Sequence, residues 1–297
     1  GLLGYGIGSV TFDAVTGELS GTVPVGYTDM YVYVTATDST GLSANDNFHI
    51  TITQAPSLQS GIVRTSIGAS SGARSLIEQG DGKLVTAGYG INSTTGYFEF
   101  ALVRHNENGS LDTTFGDGDG IVTTAPGYNA VGHSVIQQAD GKLVVAGIDT
   151  SFMTGGYEFT LLRYNTDGTL DSSFGEGDGV VTTAAYVAYG TSVIQQADGR
   201  LVLAASSLDS TTGSYQLVMV RYNADGSLDN GFGDGDGVVS TAGAFYASNV
   251  IQQADGKLVV AGAGSYEFTL VRYNVDGSLD TSFGDGGGVV TPAAGIV

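Results

Sequence analysis

The chain has 297 residues, of which 41% are hydrophobic and 13% are charged, and this composition excludes an intrinsically disordered protein. Its 48 glycines require many turns, which favours an all-β fold. The net charge of −20 argues against nucleic acid as a partner, and no apolar run approaches the ~18 residues needed for direct insertion into a membrane. Because cysteine is absent, disulfides and thiolate metal sites are excluded.

The N-terminal segment, residues 1–54, contains five acidic residues and no lysine or arginine. Its predicted strands are SVTFD, GELSGTV, DMYVYVTATD and DNFHITIT, and the alternation in MYVYVTAT and FHITIT indicates half-buried strands. The stretches VTFDAVTGELSGTVP and VYVTATDSTGLSANDNFHITIT resemble the second half of a dystroglycan-type cadherin-like domain. That resemblance implies the last strands of an immunoglobulin-like sandwich, whose first half is then either trimmed or supplied by another chain. It also implies a calcium-binding role for Asp38, which lies in TATDSTG.

Residues 55–60 (APSLQS) are predicted to be a linker, and from residue 61 onward the sequence repeats. SVIQQADGKLVVAG (134–147) recurs at 192–205 and 249–262, with a divergent copy at 75–88, at intervals of about 58 residues. Each copy is followed by a second block, which reads FTLLRYNTDGTLDSSFGEGDGVVTT at 159–183. The four predicted repeats cover about 67–125, 126–184, 185–242 and 243–292.

Each repeat is predicted to hold four short strands. SVIQQ and LVVAG flank an Asp-Gly turn, FTLLRYN is a third strand, and GVVTT is a fourth. Four strands per repeat predict an all-β fold with a β-propeller, while a β-solenoid or a string of sandwiches remains an alternative. Residues 61–66 (GIVRTS) match the fourth strand, so the ring could have four or five blades or be part of a larger ring.

The repeats resemble the bacterial delta-60 repeat of large surface and secreted proteins. The resemblance depends on DGK-(L/I)-V-x-A-G followed by L-x-R-Y-N-x-D-G-x-L-D-x-x-F-G-x-x-G, and it covers residues 61–292 approximately. It implies a propeller-like fold on a bacterial cell surface or outside the cell, but no general activity. Residues 1–8 lack a basic region, so an export signal is expected upstream of them.

Two sets of repeated side chains are candidates for chemistry. Each third strand carries an arginine that is expected to pair with an aspartate of its own blade, because a guanidinium suits a carboxylate. These structural residues are Arg104, Arg163, Arg221 and Arg272, with Asp112, Asp171, Asp229 and Asp280. The acidic loops, which read GDGDG or close variants, offer carboxylate oxygens spaced by glycine, as calcium requires. Candidate calcium ligands there are Asp117, Asp119, Asp178, Asp234 and Asp236; ordinary turn chemistry is the alternative.

The loops between strands two and three, and between successive repeats, are rich in tyrosine. Tyrosine combines a flat ring with a hydroxyl, which suits glycans, although capping of the blades would explain the tyrosines equally well. The candidates are Tyr97, Tyr128, Tyr157, Tyr186, Tyr189, Tyr215, Tyr246 and Tyr266.

No catalytic motif occurs, and almost all acidic residues recur with the repeat, so the sequence predicts a protein that is not an enzyme. The expected function is a non-catalytic module for adhesion or extracellular assembly, including a filament subunit. Its expected partners are other copies of itself, neighbouring domains or glycans. A lectin-like propeller and an extracellular enzyme acting on polysaccharides are the alternatives.

Overall fold

The computed structural model describes residues 10–13, 18–21, 29–37, 39–51, 61–151, 153, 156–185, 188–243, 245–264, 267–284 and 286–290. The chain divides into two compact units between Arg64 and Thr65, and each is described by itself. Among the described residues there is no helix long and apolar enough to span a membrane.

The first unit contains four strands in two antiparallel pairs. Strand β1 (Val10–Asp13) pairs with β2 (Glu18–Gly21), and β3 (Asp29–Thr37) pairs with β4 (Ser43–Thr51) along its whole length. The four strands predicted for this segment are therefore present. Asp38 lies outside the described residues.

The second unit consists of four antiparallel sheets of four strands each, which we call blades 1 to 4 in chain order. Each blade keeps its strands in sequence order, so every connection within a blade joins two neighbouring antiparallel strands. Blade 1 holds β5 (Ser71–Glu78), β6 (Leu84–Ile91), β7 (Phe98–His105) and β8 (Ile121–Thr124). Blade 2 holds β9 (Val131–Gln137), β10 (Leu143–Thr150), β11 (Tyr157–Tyr164) and β12 (Val180–Ala185). Blade 3 holds β13 (Ala188–Gln195), β14 (Leu201–Leu208), β15 (Tyr215–Tyr222) and β16 (Val238–Ala242). Blade 4 holds β17 (Phe245–Gln252), β18 (Leu258–Gly264), β19 (Glu267–Tyr273) and β20 (Val289–Val290). The prediction of four strands per repeat is confirmed.

The Asp-Gly turns set the register of the first hairpin in each blade. In blade 2, Gln138 N donates to Lys142 O at 2.8 Å, and Asp140 Oδ1 accepts from Lys142 N at 3.1 Å. Gly141 adopts a φ of 85°, a conformation that L side chains rarely adopt. This turn pairs Gln137 with Leu143 at the start of the ladder.

The hydrophobic core lies between the blades. The first strands of successive blades lie side by side, and one core cluster joins Val144 and Leu161 of blade 2 to Leu203 and Val220 of blade 3. Two similar clusters join blade 1 to blade 2 and blade 3 to blade 4. A blade alone therefore cannot bury its apolar face, and its neighbours supply the missing cover.

The outward faces of the first and last blades are not covered in the same way. Leu76 of β5 is 60% exposed, whereas the equivalent Val135 of blade 2 is 3% exposed. At the other end Phe268 of β19 is 87% exposed, whereas the equivalent Phe100 and Phe159 are each 1% exposed. The described blades thus leave one side of blade 1 and one side of blade 4 open to solvent.

Segment 61–66, which resembles a fourth strand, makes one contact typical of such a strand. Thr65 Oγ1 lies 3.0 Å from His105 Nε2 of blade 1. In the same way Tyr164 of blade 2 donates from its hydroxyl to Thr124 Oγ1 of blade 1 at 2.8 Å. Thr65 therefore stands where the outer strand of a preceding blade would place its threonine.

Candidate functional site

The repeated arginines and aspartates come together in every blade. Asp112 is 3% exposed and Asp171 is 5% exposed, so each carboxylate needs a close cation to remain charged. The arginine Nε to aspartate Oδ2 distance is 2.6 to 2.7 Å in the pairs Arg104–Asp112, Arg163–Asp171, Arg221–Asp229 and Arg272–Asp280. A phenylalanine ring, such as Phe174 under Arg163 with its centroid 4.4 Å from Cζ, supports the guanidinium.

The same arginines also join each blade to the next. Arg163 Nη1 donates to Ala224 O of blade 3 at 2.6 Å, and Gly175 N donates to Asp225 O at 2.8 Å. Equivalent bonds run from blade 1 to blade 2 and from blade 3 to blade 4. We call the receiving element the docked turn; in blade 3 it is residues 223–227. The repeated arginines are thus used to hold blades together.

The electrostatics of the aspartates follow from these contacts. Burial opposes ionisation of Asp171, but hydrogen bonds from Lys142, Ser173 and Arg163 outweigh it and hold the pKa well below its usual range. The pKa of Asp112 is lowered in the same way, with Thr114 and Arg104 as the partners that overcome burial. Both carboxylates are therefore charged and fully engaged at neutral pH.

The acidic loops follow the third strand of each blade, on the outer side of the junctions between blades. In the GDGDG loop of blade 1, Gly116, Gly118 and Gly120 all have φ between 66° and 94°, which explains the alternation of glycine with acids. The second acid closes the turn: Asp119 Oδ1 accepts from Ile121 N at 2.9 Å. Asp178 and Asp236 accept in the same way from Val180 and Val238.

Between blades 2 and 3 these loops border a cleft of about 620 Å³, lined by Glu158, Glu176, Asp178 and Asp225 among others. Smaller equivalent clefts lie at the other two junctions and include Asp117 and Asp119 or Asp234. No three metal-ligating side chains of the described residues lie close enough together to hold an ion. Calcium binding by these loops stays a prediction.

The predicted tyrosines meet in pairs across blade junctions. Tyr97 of blade 1 contacts Tyr128 edge to face, with ring centroids 5.2 Å apart. Tyr215 of blade 3 contacts Tyr246 of blade 4 at 4.6 Å. One tyrosine of each pair stays nearly half exposed to solvent: Tyr97 is 44% exposed and Tyr246 is 47% exposed. Tyr157 is 42% exposed. Tyr186 and Tyr266 lie outside the described residues, as does the side chain of Tyr189.

The buried Asp149 was not among the candidate residues predicted from the sequence. Asp149 of β10 is 1% exposed and stands directly across the ladder from Glu158. Its Oδ1 accepts from Thr150 N at 2.5 Å, and its Oδ2 lies within 3.5 Å of no well-aligned donor among the described residues. Burial, together with the charge of Glu158, raises the pKa of Asp149 to about 6. Alignment of the repeats could have shown this acid, because Asp149 is charged where the other blades have Gly90, Ser207 and Gly264.

A second unique residue lies between the first strands of blades 2 and 3. His133 Nδ1 is 3.3 Å from Thr191 Oγ1. Burial, with a smaller contribution from the charge of Arg74, lowers the pKa of His133 to about 4, so its ring is neutral at pH 7. This histidine packs a junction between blades and faces no acid in the described contacts.

Solved structures with a similar arrangement of sheets have low sequence identity to the chain. A levansucrase mutant from B. megaterium is 12% identical with a TM-score of 0.45, and the alignment covers 84% of this chain and 79% of that one. An endo-arabinase from Bacteroides thetaiotaomicron is 12% identical with a TM-score of 0.43, covering 91% and 94%. A protein of unknown function from Bacteroides caccae is 11% identical with a TM-score of 0.42, covering 83% and 69%. No curated protein sequence matches the chain.

These findings correct the prediction that the protein is not an enzyme. That prediction depended on missing motifs and on repeated acids, yet the similar structures include an endo-arabinase and a levansucrase. This arrangement of sheets is therefore no argument against catalysis. TM-scores below 0.5 also assign no activity to this chain.

The family comparison agrees with the repeat analysis. The model of a family described as "Domain of unknown function (DUF5122) beta-propeller" matches residues 79–115, 138–174, 196–232 and 253–283. Each matched segment runs from the first turn of a blade through its arginine to its buried or half-buried phenylalanine, so it contains the residues that hold the blades together. The repeat part of the chain is thus similar to this family once in each blade, in agreement with a β-propeller.

Proposed function

We propose that the chain is a module of a bacterial surface or secreted protein that serves adhesion or extracellular assembly. The observation that carries this proposal is the row of four blades, each joined to the next by hydrogen bonds from its arginine and its loop amide, with an apolar face at each end that no described residue covers. Such a row is rigid along its length and offers contact surfaces at its ends. The net charge of −20 keeps the remaining surface soluble.

The first unit fits this proposal as the end of a cadherin-like, immunoglobulin-like domain. Domains of that kind act as spacers in the surface proteins that the sequence resembles. The long pairing of β3 with β4 supports a sheet of such a domain. An extracellular location follows from the proposal.

The test is adhesion of beads that carry the purified full chain. We expect the beads to bind a surface coated with the same chain or with bacterial polysaccharide, and beads coated with albumin to remain free. If the beads bind neither surface over a range of salt concentrations, adhesion is wrong. Binding to polysaccharide alone supports adhesion without self-assembly.

A second candidate function is glycan binding by the tyrosine pairs. The supporting observation is that Tyr97 and Tyr246 lie at the edges of ring pairs and expose nearly half of their surface. Exposed aromatic faces stack on sugar rings, and their hydroxyls reach polar groups. If the site is real, Tyr246→Ala weakens polysaccharide binding about ten-fold by calorimetry, while Met153→Ala, at a 96% exposed position, does not. Release of reducing sugar in the same mixtures would instead reveal turnover.

A further inference from the structure

The open side of blade 4 carries residues equivalent to those that blades 1 to 3 use to hold a neighbour. Residues equivalent to Phe268 are Phe100, Phe159 and Leu217, each 1% exposed, while Phe268 itself is 87% exposed. Leu270 is 40% exposed, although the equivalent Leu161 is fully buried. Blade 4 therefore presents an apolar face that is buried at every other junction.

The open side of blade 4 also carries the hydrogen-bond donors that hold a docked turn at the other junctions. Arg272 Nε is 2.7 Å from Asp280 Oδ2, as in the other blades, and Phe283 lies under its guanidinium at 4.3 Å. Among the described residues no carbonyl accepts from Arg272 Nη1 and none from Gly284 N, although Arg104, Arg163 and Arg221 all reach a docked turn. The unused donors are those that bind a turn of the form Asn-x-Asx-Gly.

Blade 1 carries the one copy of this turn whose carbonyls accept no bond from an arginine or a loop amide of another described blade. Residues 106–110 (NENGS) fold as the others do, with Asn106 N donating to Ser110 O at 2.8 Å and Gly109 at a φ of 83°. The equivalent glycines Gly168, Gly226 and Gly277 are buried, but Gly109 is only half-buried. Leu76, 60% exposed, extends this open side along β5.

We infer that two copies of this chain associate head to tail, with blade 4 of one copy holding the turn 106–110 of the next. The three junctions within the chain serve as the template: Arg272 Nη1 would donate to Glu107 O of the second copy, and Gly284 N to Asn108 O. Phe268 and Leu270 would be buried against β5 and β6. The inference rests on the proposed assembly function and names its partner.

One contact of such a junction is already made within the chain. Thr65 stands at His105 where the outer strand of a preceding blade would place its threonine. The position of blade 4 that corresponds to Thr65 in the sequence is Pro292, so an incoming blade 4 offers no threonine there.

The experiment is a sedimentation and light-scattering series on the full chain from micromolar to millimolar concentration, at moderate and high salt. We expect a mass that rises above 30.2 kDa with concentration. Added salt should strengthen the association, because each copy carries a charge of −20 and the contact is largely apolar. A mass that stays at 30.2 kDa throughout overturns the inference.

Two variants test the two sides separately. Phe268→Ser changes a side chain that is exposed in the single chain, so the fold is retained, and it should weaken association by about ten-fold or more. Its matched control, Met153→Ser, changes an exposed residue of blade 2 and should associate as the unaltered chain does.

Gly109→Asn tests the turn and should abolish association, because a Cβ at the equivalent Gly168 would lie 2.9 Å from Gly116 N. Its control is Gly96→Asn, at a φ of 74° with nothing within 4 Å of a Cβ.

A mixture of the two variants decides the geometry. Each variant alone lacks one side, but Phe268→Ser keeps the turn and Gly109→Asn keeps the blade 4 face. Head-to-tail contact predicts that the mixture restores a dimer and nothing larger. If Gly109→Asn still associates as the unaltered chain does, the contact is instead between two blade 4 faces and the inference is wrong. Bead adhesion to polysaccharide would survive either result, so failure here is distinguishable from failure of adhesion.

Discussion

Two kinds of buried carboxylate occur in the blades, and their environments push them in opposite directions. Asp171 is surrounded by Lys142, Arg163 and the Ser173 hydroxyl, so its charged form is favoured. Asp149 is buried and faces Glu158, so its neutral form is favoured. The first kind is repeated in every blade, while the second occurs once in the described part of the chain.

Asp149 should make the fold less stable as the pH rises. Its pKa in the folded chain, about 6, is above the ordinary carboxyl value, so the stabilising protonated form is present below about pH 4 and is lost as the pH rises through 6. We expect Asp149→Asn to raise the Tm by a few degrees at pH 7 and to change it little at pH 4. The control is the exposed Asp81→Asn in blade 1. Equal Tm differences at both pH values would contradict the assignment.

The arginine contribution should depend on whether a next blade is present. Arg163→Leu leaves Lys142 as the one cation paired with Asp171 among the described residues and removes the bond to Ala224 O, so we expect the free energy of unfolding to fall by about 3 kcal/mol or more. Arg272→Leu removes a more exposed arginine without a docked turn, so the loss should be smaller. Urea unfolding at micromolar concentration measures both. Similar losses would mean that the bond to the next blade adds nothing.

At the level of the elements, the turns that follow the third strands are the joints of the structure. In blades 2, 3 and 4 this turn packs its glycine on the phenylalanine, the valine and the loop amide of the preceding blade. Gly168, for example, lies where a Cβ would be 2.8 Å from Val122 Cγ2 and 3.0 Å from Phe115 Cε2. These glycines are required by the close approach as well as by their positive φ.

Gly168→Ala should therefore destabilise the chain more than Gly96→Ala. Both glycines have a positive φ, so an alanine costs about 1 kcal/mol at either position. Only at Gly168 does the added methyl group collide with the neighbouring blade, which should add about 1–3 kcal/mol. Thermal unfolding of the two variants gives the comparison. A smaller loss for Gly168→Ala would show that the turn is not held against blade 1.

At the level of the whole molecule, stability should be greatest in the middle of the row. Strand β14 of blade 3 is buried at seven of its eight positions, whereas β5 of blade 1 has no fully buried residue. We expect amide hydrogen exchange in β10 and β14 to be slower than in β5 and β19 when the chain is dilute. Head-to-tail association should slow exchange in β5 and β19 at high concentration. Uniform protection of all four blades in dilute solution would indicate that the end blades cover each other.

The repeat period, the four strands of each blade and the arginine–aspartate pairs could be predicted from the sequence alone. Turns and the alternation of apolar and polar residues are local features of the sequence, and four copies of one pattern show which residues occupy equivalent positions. The predicted acidic loops of blades 1, 2 and 3 each border a different junction between blades. Asp149 was missed because its burial depends on the neighbouring strand and on the loop around Gly127, neither of which its own segment reveals.

The sequence by itself determined the all-β repeat and the turns that join the blades, since each copy contains the same strands, turns and charged pairs. Only the tertiary structure decided which of these residues contact a neighbouring blade and which remain exposed. Phe100 and Phe268 occupy the same position of the repeat, yet one is buried and the other exposed, because cover for each blade comes from the next one. Contacts between blades join residues more than fifty positions apart. No single repeat shows that these contacts form at the three inner junctions of the described blades and are missing at the two ends of the row.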